Sequence, residues 1–305
     1  MATISVIIPT HDRPHLLARA VESARAGGTN VEVIMVDDAS IDATADVCRE
    51  LRGIKYVRLE NNQGVAGARN VGVLESTGQY VAFLDDDDLR LPGSLDTQAA
   101  LLDENPQAGF VCGAMIMADQ TYQPTGEVIL PRNSENVFWD LLELDFPVMP
   151  LSTLIRKECF LRVGLLNHKL KGIDDWDIFT RIAEIYQVLV IDQPMGIYRQ
   201  PTPSSDQGSS SQVTQLLKAS RHQLKLLDLP TARDAERGFR RAIRRRAVNR
   251  CADTLLWTSA RHLADGEYRA SFRNILGALR LNPLRIARPR GFKKLAQRLI
   301  FGPTD

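Results

Sequence analysis

The sequence predicts an α/β fold in which a mostly parallel β-sheet is covered by helices on both faces and followed by a helical C-terminal extension. Three features lead there. From residue 4 to about residue 120, short apolar runs rich in Val and Ile alternate with segments of helical period. Those runs are almost continuously apolar rather than alternating, which is how strands buried on both faces read. After residue 212 the apolar spacing becomes that of helices and the charge balance reverses.

In order, "ISVIIP" reads as a strand and "PHLLARAVESARAG" as its following helix. "VEVIMVDD" and "DATADVCRELRG" repeat the pair, as do "IKYVRLEN" with "AGARNVGVLESTG" and "YVAFLDDDD" with "GSLDTQAALLDENP", before the strand "GFVCGAMIMAD". Residues 121 to 200 are less regular: a helix at "SENVFWDLLEL", the segment "VMPLSTLIRKECFLRVG", and a late strand "VLVIDQPMGIYR". The stretch "PTPSSDQGSSSQ" has the composition of a linker or mobile loop and sets a boundary between residues 1–211 and 212–305. Beyond it, Val213, Leu216, Leu217, Leu224 and Leu227 share a helical face, and a longer helix is expected from about Ala235 to His262. "GEYRASFRNILGALRLNP" resembles half of a tetratricopeptide repeat, but one such unit cannot build a solenoid, so it reads as a helical hairpin.

The formal charge of +1 conceals a division. Residues 1–211 carry seventeen basic and thirty acidic side chains, and residues 212–305 carry twenty-one and seven, so the two parts face different partners. Cys48, Cys112, Cys159 and Cys251 lie far apart without metal-type spacing, which argues against a zinc site or a disulfide framework and for a reducing cytoplasm. The N-terminal residues lack the pattern of a leader, and no apolar run reaches membrane-spanning length, so any membrane would be met at its surface.

In a parallel sheet, ligands sit outside the carboxyl ends of the strands. Three strand ends are chemically loaded: the polar loop Pro9, Thr10 and His11, the pair Asp37 and Asp38, and the run Asp85, Asp86, Asp87 and Asp88. Four carboxylates at the end of a buried strand repel one another and call for a cation. An exposed acidic turn is the plain alternative, and the preceding buried strand weighs against it. A helix-loop-helix calcium site would need spaced ligands, a central glycine and a closing glutamate, which the run lacks. Likewise, a phosphoacceptor receiver domain would want its acidic pair after the first strand.

Five stretches, "SVIIPTHDRPHLLARAVESA", "VEVIMVDDASIDAT", "NNQGVAGARNVGV", "GQYVAFLDDDDLRLPGSL" and "GIDDWDIFTRI", together resemble the family 2 glycosyltransferases of the GT-A fold over most of residues 3 to 200. The resemblance implies a GT-A-like, Rossmann-type catalytic domain. It also implies inverting transfer of a sugar from a nucleotide-diphosphate donor to an acceptor hydroxyl, with Mg2+ or Mn2+. On the donor side it places Pro9, Thr10 and His11 around the base and ribose. Asp38 would accept from the base, favouring uracil or thymine, with Asp37 beside it. Capping of the next helix is the alternative for this pair, for which Asp42 is the better candidate. Within the acidic run Asp86 would meet the ribose or metal shell and Asp87 the metal, flanked by Asp85 and Asp88. Arg69, at the start of a helix, would contact the diphosphate or order the acidic cluster.

On the acceptor side the resemblance makes Asp175 the catalytic base, supported by Asp174, with Asp177 in the same turn. Trp176 would line the acceptor pocket or pack in the core. One departure stands out: many members place a His shortly after a Tyr-Arg pair, where "YRQPTPSS" has Gln200 and Pro201. Two rival readings are a nucleotidyltransferase of similar fold and a non-catalytic module that binds nucleotide sugar or protein.

The expected acceptor is a glycan or glycolipid, as in polysaccharide biosynthesis, at the cytoplasmic face. In "RGFKKLAQRLIFG", Phe292, Leu295 and Leu299 share a face away from Lys293, Lys294 and Arg298, which suits an in-plane helix on an anionic membrane. Pairing of the C-terminal arginines with the acidic first domain is the alternative. No base-stacking aromatic pattern points to nucleic acid.

Overall fold

A computed structural model describes residues 3–170, 172–200, 219–264 and 266–285. They fall into two compact units, residues 1–138 with 146–202 and residues 139–145 with 203–305.

The first unit begins with β1 (Ile4–Thr10), α1 (Leu17–Ala26), β2 (Val31–Asp37), α2 (Thr44–Glu50), β3 (Lys55–Arg58), α3 (Gly64–Glu75) and β4 (Tyr80–Phe83). It continues through β5 (Leu89–Arg90), α4 (Ser94–Glu104), β6 (Ala108–Ala118), β7 (Pro124–Ile129), the first two residues of α5 (Val137–Leu142), β8 (Thr153–Arg156), α6 (Cys159–Val163), α7 (Asp174–Ile185) and β9 (Gln187–Arg199), the rest of α5 belonging to the second unit. Their sheet runs β3-β2-β1-β4-β8-β6-β9-β5, with β7 hydrogen-bonded to β6. The expected parallel order holds for β3, β2, β1 and β4. From there β8 is antiparallel to both β4 and β6. The less regular sequence after residue 120 therefore completes a mixed sheet.

Strand period 2 sorts β1 between two faces. Ile4, Val6 and Ile8 join a cluster with Leu17 and Val21 of α1 and Leu95 and Leu102 of α4. Ile7 points the other way, against α3, where Gly72 leaves room for it: a Cβ on Gly72 would stand 2.2 Å from Ile7 Cγ2. On the same side Phe83 meets Phe160 edge-on at 6.3 Å, and Phe110 meets Phe179 of α7 at 5.1 Å. These contacts seat α3, α6 and α7 on one face of the sheet.

In the second unit the helices Arg237–Ala264 and Tyr268–Leu281 pack against each other through Ala252, Leu255 and Ala278, so the segment expected to be a hairpin by itself is one helix that pairs with the long helix before it. Gly266 turns between them at φ 77°. The segment 139–145 belongs with these helices: Trp139 meets Phe239 edge-on at 4.9 Å, and Arg246 pairs with Glu143 at 2.7 Å. Arg250 pairs with Asp145 and also donates to the Leu144 carbonyl at 3.2 Å. Two C-terminal arginines thus do meet acids from the earlier sequence. No helix among the described residues is long and apolar enough to cross a membrane. The stripe residues Val213, Leu216 and Leu217 and the helix expected around Phe292 lie outside the described residues.

The Gly72 contact is testable. Gly72→Ala forces a methyl into the β-branched, fully buried Ile7 and should lower stability by about 1–3 kcal/mol, as overpacking does. Urea denaturation measures it; an unchanged midpoint would show that α3 does not approach β1 this closely.

Candidate active site

Parallel pairing aligns the ends of β1 and β2, with Thr10 opposite Asp37, and brings the end of β4 beside them. The loops after β1 and β2 are cross-tied: the Asp12 amide donates to Ser40 Oγ at 3.0 Å and the Ile41 amide to Asp12 Oδ1 at 2.8 Å. Asp12 and Ala39 hold left-handed backbone, at φ 52° and 60°, a strain that only a tightly determined loop sustains. Pairing of β1 as far as Thr10 corrects the expectation of a polar loop at Pro9 and Thr10. They are the buried last residues of the strand, and His11 is the first to reach solvent.

The acidic run lies between β4 and β5 as a turn closed by the Asp88 amide on the Asp85 carbonyl at 3.1 Å. Its four carboxylates do different things. Asp86 is buried; it accepts from Thr10 Oγ1 at 2.7 Å and from Arg13 Nη1 at 3.0 Å. The same Nη1 donates to Asp87 Oδ2 at 3.0 Å. Asp88 is buried and accepts the Arg199 amide at 3.0 Å, tying the turn to the end of β9. Asp85 accepts from Arg69 Nη2 at 2.6 Å. Asp87 keeps 21% of its side chain exposed, against 4% for Asp86, so Asp87 is the member of the central pair that a ligand can reach. Burial pushes the Asp86 carboxyl up to about 7, with Asp87 adding to the effect and Arg13 and Thr10 opposing it. Burial and the neighbouring Asp85 also raise Asp87, and Asp88 stands well above the ordinary carboxylate range for the same reasons.

Arg69 joins this turn to α7. Its guanidinium is buried over the Phe83 ring and also donates to Asp174 Oδ2 at 3.3 Å. Burial works against its charge, and Asp85, Asp174 and Asp175 outweigh that, so its pKa is raised. Next to it, Asn70 exchanges two hydrogen bonds with the backbone of Leu166, at 2.8 and 2.9 Å. At the head of α7, burial pushes Asp174 up to about 6 and raises Asp175, while Arg69 holds both down. Asp175 is half-buried, with Oδ1 accepting the Trp176 amide at 2.7 Å. Asp177 plays a different part, pairing with Arg181, which also donates to the carbonyls of Val163 and Leu165 and so anchors the helix.

The second strand end is more structural than its sequence suggests. Asp37 is wholly buried and accepts from the Ser40 amide and the Tyr56 hydroxyl, each at 2.8 Å. Asp42 caps α2 through the Thr44 amide at 2.8 Å, as expected. Asp38 receives the amides of Gln63 at 2.7 Å and Gly64 at 2.8 Å, so the anion seated at the start of α3 is Asp38 itself. Those two amides are therefore not open to a phosphate, and Arg69 is the cationic group that α3 offers.

Arg13, Arg199 and Tyr122 escaped the sequence reading. Tyr122, at φ 66° in the β6–β7 turn, lies between the guanidinium groups of Arg19 at 4.6 Å and Arg199 at 5.3 Å. A basic residue directly after a loaded strand end, as in "THDRP", is the signal that would have flagged Arg13.

Residues 5–157 match the glycosyl transferase family 2 profile, and the chain belongs to that family. It is 29% identical over 186 residues to an uncharacterized glycosyltransferase of Haemophilus influenzae, covering 59% of this chain and 62% of that protein. It is 40% identical over 103 residues to the GalNAc(5)-diNAcBac-PP-undecaprenol beta-1,3-glucosyltransferase of Campylobacter jejuni, covering 32% of this chain and 33% of the relative. Less than two thirds of each relative is thus spanned. Among solved structures, the fold resembles the Pyrobaculum calidifontis mannosyltransferase PcManGT in complex with GDP-Man and Mn2+. There the TM-score is 0.59 at 19% identity, over 99% of this chain and 88% of that one. It also resembles S. aureus TarS 1-349 in complex with UDP-GlcNAc, with a TM-score of 0.57 at 16% identity, over 93% and 92%. These neighbours establish the GT-A fold.

The sign of the Asp86 shift gives a prediction. A carboxyl held near 7 when folded and near 3.9 when unfolded binds its proton more tightly in the folded state. The associated stability is full below about 4 and is lost as pH rises toward about 7. Asp86→Asn should therefore gain on the wild type across that window in metal-free buffer. Urea midpoints at several pH values test this, and parallel curves for the two proteins would disprove it.

Proposed function

We propose that this protein transfers a sugar, with inversion, from a nucleoside diphosphate sugar to a hydroxyl of a glycan or lipid-linked acceptor, with Mg2+ or Mn2+ at Asp87. One observation carries the reading: Arg69 grips Asp85 of the acidic turn and Asp174 at the head of α7, linking the proposed donor and acceptor sides in one buried network.

The donor set suits a hard divalent cation that keeps waters and phosphate oxygens as ligands. The reachable Asp87 carboxylate already holds a positive group, the Arg13 guanidinium. Among the described residues no group of three or more metal-type side chains forms a cage, so Asp87 would hold the ion together with the diphosphate. Such an ion would neutralise the leaving diphosphate. Thr10, Asp86 and Arg13 keep the turn in place, and His11 and Asp38 would lie along the base and ribose. Each Asp38 oxygen retains acceptor capacity beyond its amide bond, which supports recognition of an imide N–H as in uracil or thymine.

Asp175 would take the proton of the acceptor hydroxyl. That oxygen attacks the anomeric carbon as the bond to the phosphate oxygen breaks on the opposite face, and the nucleoside diphosphate leaves with the electron pair. Burial raises the Asp175 carboxyl above the ordinary carboxylate value, against the pull of Arg69, which strengthens it as a base. Asp174, neutralised by Arg69, supports it. Two relatives act on undecaprenol-linked glycans by their names, the C. jejuni enzyme above and the UDP-Glc:alpha-D-GlcNAc-diphosphoundecaprenol beta-1,3-glucosyltransferase WfaP of Escherichia coli. That supports a lipid-linked acceptor here.

A thermal-shift screen of UDP, dTDP, GDP and CMP sugars with and without Mn2+ tests donor binding. A donor at about 100 times its Kd should stabilise the protein by about 2.7 kcal/mol. Asp87→Ala should abolish the metal-dependent part of that shift; an unchanged Mn2+ dependence would refute the metal assignment. Asp175→Asn should keep the shift while turnover falls by about 10² or more. Near-native turnover would remove Asp175 as base, and release of pyrophosphate instead of nucleoside diphosphate would favour a nucleotidyltransferase.

A further inference from the structure

The arginines of the helix Arg237–Ala264 divide into two sets. Between Arg237 and Ala252 there are seven, with no acidic residue. Arg246 and Arg250 turn toward Glu143 and Asp145, and Arg240 pairs with Asp228 at 3.0 Å. Arg237, Arg241, Arg244 and Arg245 are exposed and have no ion-pair partner among the described residues. At 3.6 residues per turn these four fall within an arc of about 100°, opposite Arg246 and Arg250.

Three observations mark that arc as a surface facing an external anion. It lies in the first turns of a helix, where the dipole disfavours cations, so the helix itself gains nothing from the charge. The same arc continues through Ala252, Leu255 and Ser259, which the helix Tyr268–Leu281 covers; that cover ends where Asn282 Nδ2 donates to Asn249 Oδ1 at 2.7 Å. Finally, Arg237, Arg240, Arg241 and Arg244 line a recess of 230 Å³ with Leu227, so the row is the rim of a concave surface rather than an isolated set of side chains. By sequence, residues 286–304 add five basic residues and no acidic one, so that stretch cannot neutralise the row.

We propose that Arg237, Arg241, Arg244 and Arg245 form a docking surface for an anionic phospholipid bilayer, with lipid phosphates meeting the exposed guanidinium groups of the row. A bilayer is favoured over nucleic acid because the row offers no stacking aromatic: Phe239 is on the opposite face, against Trp139. The inference is independent of the active-site chemistry and stands or falls without turnover.

The test is co-sedimentation of the full chain with phosphatidylcholine vesicles with and without phosphatidylglycerol. The wild type should pellet with the anionic vesicles alone, and added salt should release it. Arg241→Glu/Arg244→Glu/Arg245→Glu should weaken partition at least about tenfold, since each basic residue counts separately at such a surface. Arg246→Gln/Arg250→Gln should leave partition unchanged while lowering the melting temperature. Arg241→Gln/Arg244→Gln provides a milder variant should the triple reversal unfold, and far-UV circular dichroism with the melting temperature shows whether each variant is folded. Equal recovery in the supernatant with both vesicle types would overturn the proposal. So would undiminished binding by the reversed variants, which would assign the surface to other basic residues, or loss of binding only when Arg246 and Arg250 are changed. Full competition by a duplex RNA at equal phosphate would replace the bilayer with nucleic acid.

Discussion

A single buried guanidinium holds this molecule's chemistry together. Arg69 sits on α3 over Phe83, with carboxylates on either side of it from segments more than eighty residues apart in sequence, Asp85 and Asp174. A buried charge is stable only when it is paired, and removing one partner of such a set typically costs about 3–5 kcal/mol. The pairing therefore constrains where β4 ends and where α7 begins. Asn70, one residue on, fastens the loop before α7 to the same helix. Close approach of α3 to β1 at Gly72 is what allows Arg69 to reach both.

The acidic turn is held under electrostatic tension, and its burial pattern gives that tension a direction. Asp86 and Asp88 are out of solvent and answered by Thr10, Arg13 and the Arg199 amide, whereas Asp87 is left reachable. Desolvation penalises the charged carboxylates, and each neighbour adds to it. A cation entering from solvent would reach Asp87 before the buried Asp86 and Asp88. The strained left-handed residues Asp12 and Ala39 lie in the loops that frame the same edge of the sheet, as expected where tertiary contacts over-determine a loop.

The second unit works by different physics. Its apolar contacts are few, small side chains such as Ala252 and Ala278 let the helices approach, and buried hydroxyls of Ser259 and Ser271 bond across them. Arg246 and Arg250 fasten the segment 139–145 to this unit on one side of the long helix. The other side keeps its charge outward, which explains how a chain of nearly zero net charge can present a strongly basic surface.

Much of the fold and part of the site were legible from local signals. Apolar runs marked β1, β2, β4, β6 and β9, helical periodicity marked α1 to α5, and strand-end placement singled out Asp38 and Asp85 to Asp88 as candidate site residues, while Asp175 rested on the family resemblance alone. Such signals are local: a strand must bury its side chains wherever it pairs, and a carboxylate cluster repels itself in any context. The antiparallel insertion of β8 between β4 and β6 was not legible, because pairing direction depends on how distant segments meet. Nor was the sorting of the acidic residues. Sequence alone cannot tell that Asp38 closes the start of α3, that Asp177 serves Arg181, or that Arg13 reaches both Asp86 and Asp87. Which carboxylate faces solvent and which faces an arginine is settled by burial and distance, and those exist only once the chain has folded.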